Sequence, residues 1–206
     1  MTVPIRSKRE AHTREIREIY DTVTIGLHWA TAALVAILWL MGRTTGFLPR
    51  GPLRVDVWSV HVLLGFTLAG IIIARIFWRS FFGRRLPPAD RGMLQRLAAT
   101  VHYLLYALLL TVAALGVTNV FAHAFPLFNL WHFPEIGSGN FASRINGWHS
   151  LAANIIAAVA VGHAAAALFH HYVIKDKVLG RMWPSAPADT ELSHGETAGT
   201  ARRSAE

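Results

Sequence analysis

Four long apolar runs constrain the fold of this chain more than any other feature of its sequence. They cover approximately residues 22–42, 57–78, 97–120 and 148–174, and most charged residues lie between them. A helix needs about 20 mainly apolar residues to cross the hydrocarbon core of a bilayer. The sequence therefore predicts four transmembrane helices.

The alternative is a soluble helical bundle with unusually long core helices. Helices of soluble bundles keep one polar face, whereas the stretches LVAILWL at 34–40 and YALLLTVAALGV at 106–117 have none. Charged residues make up 16% of the chain, against roughly 25% in soluble domains. We therefore expect an all-α fold, an integral membrane four-helix bundle in contact with membrane lipid.

The positions of Lys and Arg predict the orientation of the bundle, because short cytoplasmic loops carry an excess of these residues. They are concentrated before the first run, between the second and third runs, and after the fourth: Arg6, Lys8, Arg9, Arg14, Arg17, Arg79, Arg84, Arg85, Arg91, Arg96, Lys175, Lys177 and Arg181. The other two loops carry Arg43, Arg50, Arg54 and Arg144. Both termini are therefore expected in the cytoplasm, with the bundle in the inner membrane.

Two polar tails flank the apolar region. Residues 1–20 mix Glu with Arg, and no small-residue cleavage site follows the first run, so this run is expected to be an uncleaved anchor. Residues 21–184 form the predicted four-span domain, and residues 185–206 have the composition of a disordered tail. The loop at 121–146, rich in Phe, Trp and Pro, is expected to cover the outer face of the bundle.

Composition excludes several kinds of cofactor site. The chain has no cysteine, which excludes disulfides, thiolate metal sites, iron–sulfur clusters and covalently attached c-type haem. Its net charge of +8 does not indicate a nucleic-acid partner, because most basic residues flank apolar runs. The 11 histidines are therefore the main candidates for binding a metal or a haem.

Two histidines of the fourth run share one helical face. An ionisable residue inside a membrane is a functional candidate, although a single buried histidine is more often a hydrogen-bonded packing residue. His149 and His163 are 14 residues apart, which is within about 40° of four full turns and corresponds to roughly 21 Å along the axis. This spacing indicates one helix that supplies a ligand to each of two stacked haems.

Each of these histidines needs a partner at the same depth on another helix. His61 lies near the outer end of the second run and matches His149. His28, near the inner end of the first run, matches His163, but His102 in the third run lies at a similar depth and is an alternative. Two bis-histidine sites result, and a haem with both axial positions filled is suited to electron transfer.

Arg75 is a further polar residue inside a predicted span. It follows His61 by 14 residues, so it shares the face of His61 and lies at the depth of the inner site. A buried arginine requires an anion or an acceptor, and a haem propionate or a quinone carbonyl would serve. The alternative is an arginine that extends from the helix end toward water.

Several motifs resemble the bacterial cytochrome b561 family. They are I-G-L-H-W at 25–29, H-V-L-L-G at 61–65, A-R-I at 74–76, H-Y-L-L-Y at 102–106, W-H at 148–149, G-H-A-A-A-A-L-F-H-H-Y at 162–172 and K-D-K-V-L-G-R-M at 175–182. The last three are the most specific, and the resemblance covers about residues 18–184. Within the family, the chain is most similar to the membrane-bound superoxide oxidases.

The resemblance implies two b-type haems and favours His28 over His102 at the inner site. It also implies that His170 belongs to a quinone site near the inner haem, with ubiquinone as the electron acceptor. His102 and Arg75 are further candidates for contacts with the quinone or a haem propionate. The axial ligands implied by the resemblance are His28, His61, His149 and His163.

Two classes of function are compatible with these residues. The first is an oxidoreductase that takes electrons from superoxide at the periplasmic face; Arg50, Arg54 and Arg144 would attract this anion, unless they are ordinary solvated residues. The second is a non-catalytic electron-transfer subunit whose outer loop docks a separate dehydrogenase or soluble cytochrome. A histidine-based metal transporter fits poorly, because the four runs contain no Asp or Glu.

Overall fold

A computed structural model describes residues 19–87, 92–137, 139–176 and 178–183 of the chain. Within these residues, four helices are long and apolar enough to cross a membrane. They are α1 (Thr22–Thr44), α2 (Pro52–Phe81), α3 (Met93–Ala122) and α4 (Gly139–Phe169). The predicted all-α membrane bundle is therefore confirmed. We call the end of the bundle at which α2 and α4 begin the outer end, following the predicted orientation.

Several predictions from the sequence fall outside the described residues. They concern the basic residues Arg6, Lys8, Arg9, Arg14, Arg17, Arg91 and Lys177, and the predicted disordered tail at 185–206. The predicted orientation, with both termini in the cytoplasm, therefore stays a prediction.

The fourth helix begins earlier than the sequence suggests. Helix α4 starts at Gly139, whereas residues up to 146 were expected to belong to the outer loop. The segment GNFASRING at 139–147 is polar, so it has the composition of a loop even though its backbone is helical. Hydropathy measures where a helix enters the bilayer, and this helix extends for about two turns beyond that point.

The inner end of α4 changes its helical geometry. The α-helix ends at Phe169, and one π-helical turn covers His170–Ile174. Lys175 then adopts a left-handed conformation with φ 59°, and its N–H donates to the carbonyl of His170. Such a turn ends a helix and reverses the chain direction, so the residues that follow return toward the bundle.

The bundle core is small and apolar, with contributions from all four helices. Its buried residues are Leu38, Leu68, Ile72, Leu109 and Ile156. Large apolar side chains elsewhere on the helices point outward, as expected where lipid replaces water as the surrounding solvent. Ile73, for example, is 65% exposed in the isolated chain.

A short hairpin fixes the outer loop to α2. Strands β1 (Pro126–Leu127) and β2 (Trp131–His132) pair in antiparallel orientation. The fully buried hydroxyl of Ser59 accepts a 2.8 Å hydrogen bond from the N–H of Phe128, the residue after β1. The same hydroxyl donates to the carbonyl of Val55 at 2.8 Å, so this buried polar side chain is satisfied both as donor and as acceptor.

Asp21 links the start of α1 to the end of α2 at the inner end. Its carboxylate accepts hydrogen bonds from the N–H and hydroxyl of Thr24, capping α1, and from the Trp78 indole N–H and the Arg84 backbone N–H. Partial burial raises the pKa of Asp21, but these hydrogen bonds outweigh it and lower the pKa from 3.8 to about 2. The ionised carboxylate therefore stabilises the fold.

The C-terminal 3₁₀ turn at Leu179–Met182 closes the inner end of the bundle. The indole N–H of Trp29 donates to the carbonyl of Met182 at 2.8 Å, and the N–H of Tyr20 donates to the carbonyl of Arg181 at 3.1 Å. The guanidinium of Arg181 in turn donates to the carbonyl of Pro87. Segments from both ends of the described chain thus meet beside the inner ends of α1 and α2.

Candidate functional site

The outer histidine pair lies between α2 and α4. The ring centres of His61 and His149 are 6.4 Å apart, and their planes are inclined by 82°. Nδ1 of His149 is 3.1 Å from the backbone carbonyl of Val112 on α3. Because a carbonyl only accepts, Nδ1 carries the proton, and Nε2 of the neutral ring has a free lone pair. A metal-binding histidine is commonly oriented in this way.

Gly116 allows His149 to approach the backbone of α3 closely. A Cβ atom added to Gly116 would lie 3.0 Å from Cε1 and 3.4 Å from Nδ1 of His149. Any larger residue would therefore displace the imidazole from the Val112 carbonyl. The position of this ring depends on a glycine one helical turn after the residue that accepts its hydrogen bond.

His61 is oriented by packing. Its ring lies 5.3 Å from the Trp58 ring in an edge-to-face arrangement. In the described part of the chain, Nδ1 of His61 is buried without a hydrogen-bond partner. A buried polar atom without a partner is costly, and such an atom in a native protein commonly indicates a functional role.

The inner histidine pair lies between α1 and α4. The ring centres of His28 and His163 are 6.4 Å apart, inclined by 72°. His102, the alternative from the sequence, is also present, with its ring centre 5.2 Å from that of His163. Its Nδ1–H donates to the carbonyl of Ala98 on its own helix at 2.7 Å. The inner site therefore contains three histidines, one from each of three helices.

The spacing of the rings tests whether a haem iron fits between them. A bond of about 2 Å between a metal and an imidazole nitrogen places the centres of two imidazoles on opposite sides of the metal about 6.3 Å apart. The pairs His61–His149 and His28–His163 both have this separation. The pair His102–His163, at 5.2 Å, is about 1 Å too close.

Small residues near the pairs leave room for a planar macrocycle. No described atom lies within 4 Å of a Cβ added to Gly26, Gly65 or Gly162, each of which is within four residues of a paired histidine. The residues present therefore fit two haems held by axial ligands and packing.

Arg75 contacts both neighbouring helices at the inner site. One of its guanidinium nitrogens lies 3.0 Å from Nδ1 of His28, and its guanidinium carbon lies 5.2 Å from the centre of the Tyr106 ring. It does not extend from the helix end toward water, as the alternative from the sequence supposed. Since arginine only donates, Nδ1 of His28 is the acceptor in this contact, the opposite of the arrangement at His149.

His170 forms a close pair with Asp176 at the inner end of α4. Nδ1 of His170 lies 2.5 Å from Oδ2 of Asp176, and Oδ1 of Asp176 accepts the N–H of Val178 at 3.0 Å. Desolvation acts to raise the pKa of Asp176, but hydrogen bonds from His170 and Val178 and the charge of Arg181 lower it overall. The carboxylate is therefore ionised at neutral pH.

The three arginines expected to attract an anion all lie at the outer end. Arg50 precedes α2, Arg54 lies in its first turn, and Arg144 lies near the start of α4. Arg144 borders a shallow hollow of about 230 Å³ together with Gly147, Trp148 and Leu151. The arginines are therefore on the side of the outer histidine pair.

Four residues with contacts to the site were not predicted from the sequence. Trp58 and Gly116 contact ligand candidates, but an apolar helix contains many residues of these types, so their pattern gives no signal. Tyr106 follows His102 by four residues, the spacing of neighbours on one helical face, and this signal could have identified it. Asp176 is the first carboxylate after the four acid-free apolar runs, which could have indicated it as a partner for a histidine.

Comparison with known proteins gives a consistent result. The chain matches the family described as prokaryotic cytochrome b561 over residues 19–185. It is 30% identical over 175 residues to the probable superoxide oxidase CybB of Yersinia pestis, covering 80% of this chain and 96% of that protein. It is 33% identical over 171 residues to cytochrome b562 of Cereibacter sphaeroides, covering 79% and 94%. Cytochrome b561 homolog 1 of Escherichia coli K12 is 30% identical over 177 residues, covering 80% and 97%.

The family match, the four membrane-spanning helices and the facing histidines support the same conclusion. Members of this family are electron-transfer proteins of the prokaryotic inner membrane that use b-type haem. The chain belongs to the prokaryotic cytochrome b561 family.

Proposed function

We propose that this protein holds two b-type haems and transfers electrons from superoxide at the outer face to ubiquinone at the inner face. His61 and His149 are the proposed ligands of the outer haem, and His28 and His163 those of the inner haem. The observation that carries the proposal is that both pairs have ring centres 6.4 Å apart, the separation that one iron requires.

The two proposed sites are connected by α4, which contributes one ligand to each. His149 and His163 lie roughly 21 Å apart along the helix axis, so the sites lie near opposite faces of the membrane. When bound, each haem iron accepts and releases one electron. Two superoxide anions become two molecules of oxygen and supply two electrons, which, with two protons, reduce one quinone to a quinol.

The proposed donor is supported by charge and by one relative. Superoxide is a small anion, and Arg50, Arg54 and Arg144 provide positive charge at the outer end, where a favourable field raises the rate of encounter. The relative from Yersinia pestis is named a probable superoxide oxidase. With α2 and α4 beginning at the periplasmic face, both termini lie in the cytoplasm.

Arg75 has a separate role in this proposal. A histidine that binds iron through Nε2 normally keeps a proton on Nδ1, and Nδ1 of His28 then no longer accepts a hydrogen bond. With haem bound, the Arg75 guanidinium, which lies 3.0 Å from that atom in this structure, would be free to bind another acceptor. A haem propionate or a quinone carbonyl is an acceptor of the required kind.

Haem quantification and stopped-flow spectroscopy test the proposal. Pyridine-haemochrome analysis of pure protein should give two b-type haems per chain, and a reproducible value of one would contradict the two-site arrangement. The oxidised protein is then mixed with superoxide in the presence and absence of a soluble ubiquinone analogue. Rapid haem reduction, followed by re-oxidation only when quinone is present, is the expected result.

A non-catalytic electron-transfer subunit is the second candidate function. It is favoured by the exposed tip of the outer hairpin, where Leu130 is 87% and Trp131 is 65% exposed, as at a surface that docks a redox partner. In that case superoxide would not reduce the haems of the purified chain rapidly, and a soluble donor protein would be needed. The same stopped-flow experiment therefore separates the two functions.

A further inference from the structure

The pair formed by His170 and Asp176 has a fixed direction of hydrogen bonding. Nδ1 of His170 lies 2.5 Å from Oδ2 of the ionised Asp176. Because a carboxylate only accepts, Nδ1 carries a proton in this contact. The other ring nitrogen, Nε2, is the atom through which His170 exchanges a proton with a third group. The side chains are 19% and 29% exposed, so the pair borders water at the inner end of the bundle.

The backbone brings these two residues together although they are six positions apart. The π-helical turn at His170–Ile174 widens the end of α4, and the left-handed Lys175 reverses the chain. The N–H of Asp176 then donates to the carbonyl of His170 at 3.2 Å. A regular α-helix would place residues six apart about 120° apart around the axis and roughly 9 Å apart along it, so this contact depends on the altered helix end.

We propose that His170 and Asp176 form the proton-donating pair for quinone reduction, with His170 as the catalytic residue and Asp176 as its positioning residue. The inference rests on the proposed function, in which a quinone is reduced at the inner face, and on the quinone site that the family resemblance implies at His170. Reduction of one quinone consumes two electrons and two protons. Doubly protonated His170 gives the Nε2 proton to a quinone oxygen and keeps the Nδ1 proton, which stays hydrogen-bonded to Asp176. Cytoplasmic water then returns a proton to Nε2.

Asp176 stays ionised throughout this cycle and has two effects. It fixes the ring so that Nε2 points away from the carboxylate, and it stabilises the positive charge of the doubly protonated ring, as a buried aspartate does in other histidine pairs. The charge of Arg181 also acts on Asp176, and Lys175 adjoins it in sequence. The hydrogen bonds from His170 and Val178 lower the pKa of Asp176 most, and the charge of Arg181 lowers it further.

The two carboxylate oxygens have separate partners, which makes a sharp substitution possible. Oδ1 accepts the N–H of Val178, and Oδ2 contacts His170. Asp176→Asn keeps an oxygen for Val178 but places an amide NH₂, which cannot accept a proton, next to Nδ1. A purely structural role in the turn would survive this change. Asp176→Glu retains the charge, and Glu135→Gln at the outer face is the matched control for loss of a carboxylate.

The experiment follows the quinone half-reaction alone. Haem-loaded protein is reduced with a stoichiometric amount of dithionite and mixed with a soluble ubiquinone analogue at several concentrations in a stopped-flow instrument. We expect Asp176→Asn to lower the maximal rate of haem oxidation at least tenfold, because loss of such a partner typically costs 10- to 100-fold. The half-saturating quinone concentration should change little, the solvent deuterium isotope effect should increase, and Asp176→Glu should recover part of the rate.

Two results would contradict the inference, and they are distinguishable. If quinone oxidises wild-type haems and Asp176→Asn does so at the same rate, the pair has no catalytic role while the proposed function stands. If quinone does not oxidise wild-type haems at all, the acceptor half of the proposed function is wrong and this inference is wrong with it. Should Asp176→Asn lose its haems, Asp176→Ser, whose hydroxyl also accepts an N–H in a turn, takes its place under the same criteria.

Discussion

Substitution of Gly116 by alanine tests how the outer haem site is positioned. The added Cβ would lie 3.0 Å from Cε1 of His149, and ordinary contacts begin at 3.4 Å, so the ring must move by at least 0.4 Å. The movement is away from α3 and therefore lengthens the 3.1 Å hydrogen bond from Nδ1 to the Val112 carbonyl. Loss of a hydrogen-bond partner of a metal ligand typically weakens metal binding by about 10- to 100-fold, or roughly 1.4–2.7 kcal/mol.

The same substitution should not destabilise the helix itself. Alanine in a helix interior is more favourable than glycine by roughly 0.5–1 kcal/mol, so α3 gains stability while the ligand loses its position. The substitution should therefore weaken haem binding and stabilise α3, and these two effects can be measured separately. Haem should dissociate from the outer site faster, whereas the apparent unfolding temperature of the haem-free protein should be unchanged or higher.

The assay measures haem loss to an excess of a haem-binding acceptor protein, together with the electron paramagnetic resonance spectrum of the oxidised protein. If the proposed two-haem arrangement is right, the outer haem should dissociate at least tenfold faster in Gly116→Ala, with a changed low-spin signal, while the inner haem is unaffected. Gly70→Ala is the matched control, because a Cβ on Gly70 in α2 meets no described atom within 4 Å. Unchanged haem loss and an unchanged spectrum in Gly116→Ala would refute the argument.

Four further predictions follow from the other contacts. His28→Ala should remove one haem and His102→Ala should keep both, as measured by haem content; the reverse would exchange their assignments. Asp21→Asn should lower the free energy of unfolding near neutral pH by about 1 kcal/mol. A pKa shift from 3.8 to about 2 implies roughly 2.4 kcal/mol, but the carboxylate is partly exposed, so solvent screening reduces the effect. This difference should be full above pH 3.8 and vanish as the pH falls toward 2. Arg75→Gln should lower the reduction potential of the inner haem, as measured by redox titration. Neutralising Arg50, Arg54 and Arg144 together should slow haem reduction by superoxide and weaken its dependence on ionic strength. Reduction of the haems by quinol should not change.

The sequence predicts the helices of this protein better than their ends. Apolar runs locate the part of each helix that lies in lipid, because this environment selects composition directly. The first helical turns of α4 at 139–147 are polar and were assigned to a loop. The π-helical turn after Phe169 was also not predicted, since it depends on hydrogen bonds that carry no periodic signal in the sequence.

The sequence predicts which histidines share a helical face or a depth, but not the distances between histidines on different helices. Periodicity along one helix places His149 and His163 on one face, and depth pairs them with residues of other helices. Depth alone does not separate His28 from His102, because both lie at the inner level. The distances of 6.4 Å and 5.2 Å to the His163 ring arise from the packing of α1 and α3 against α4, which no single helix encodes.

In the proposed two-haem arrangement, the hydrogen-bond partners of the two histidine pairs differ in a way that would favour electron transfer inward. At the outer site, Nδ1–H of His149 donates to a carbonyl, which raises the basicity of the ring and stabilises the oxidised iron. At the inner site, Arg75 would keep its positive charge close to the haem after leaving Nδ1 of His28 for a propionate or a quinone, and this charge would stabilise a reduced iron. Both effects raise the inner potential relative to the outer one. A tenfold preference of the electron for the inner haem corresponds to about 59 mV, and Arg75→Gln should diminish this difference, whereas an equal shift of both haems would mean that Arg75 acts through the fold as a whole.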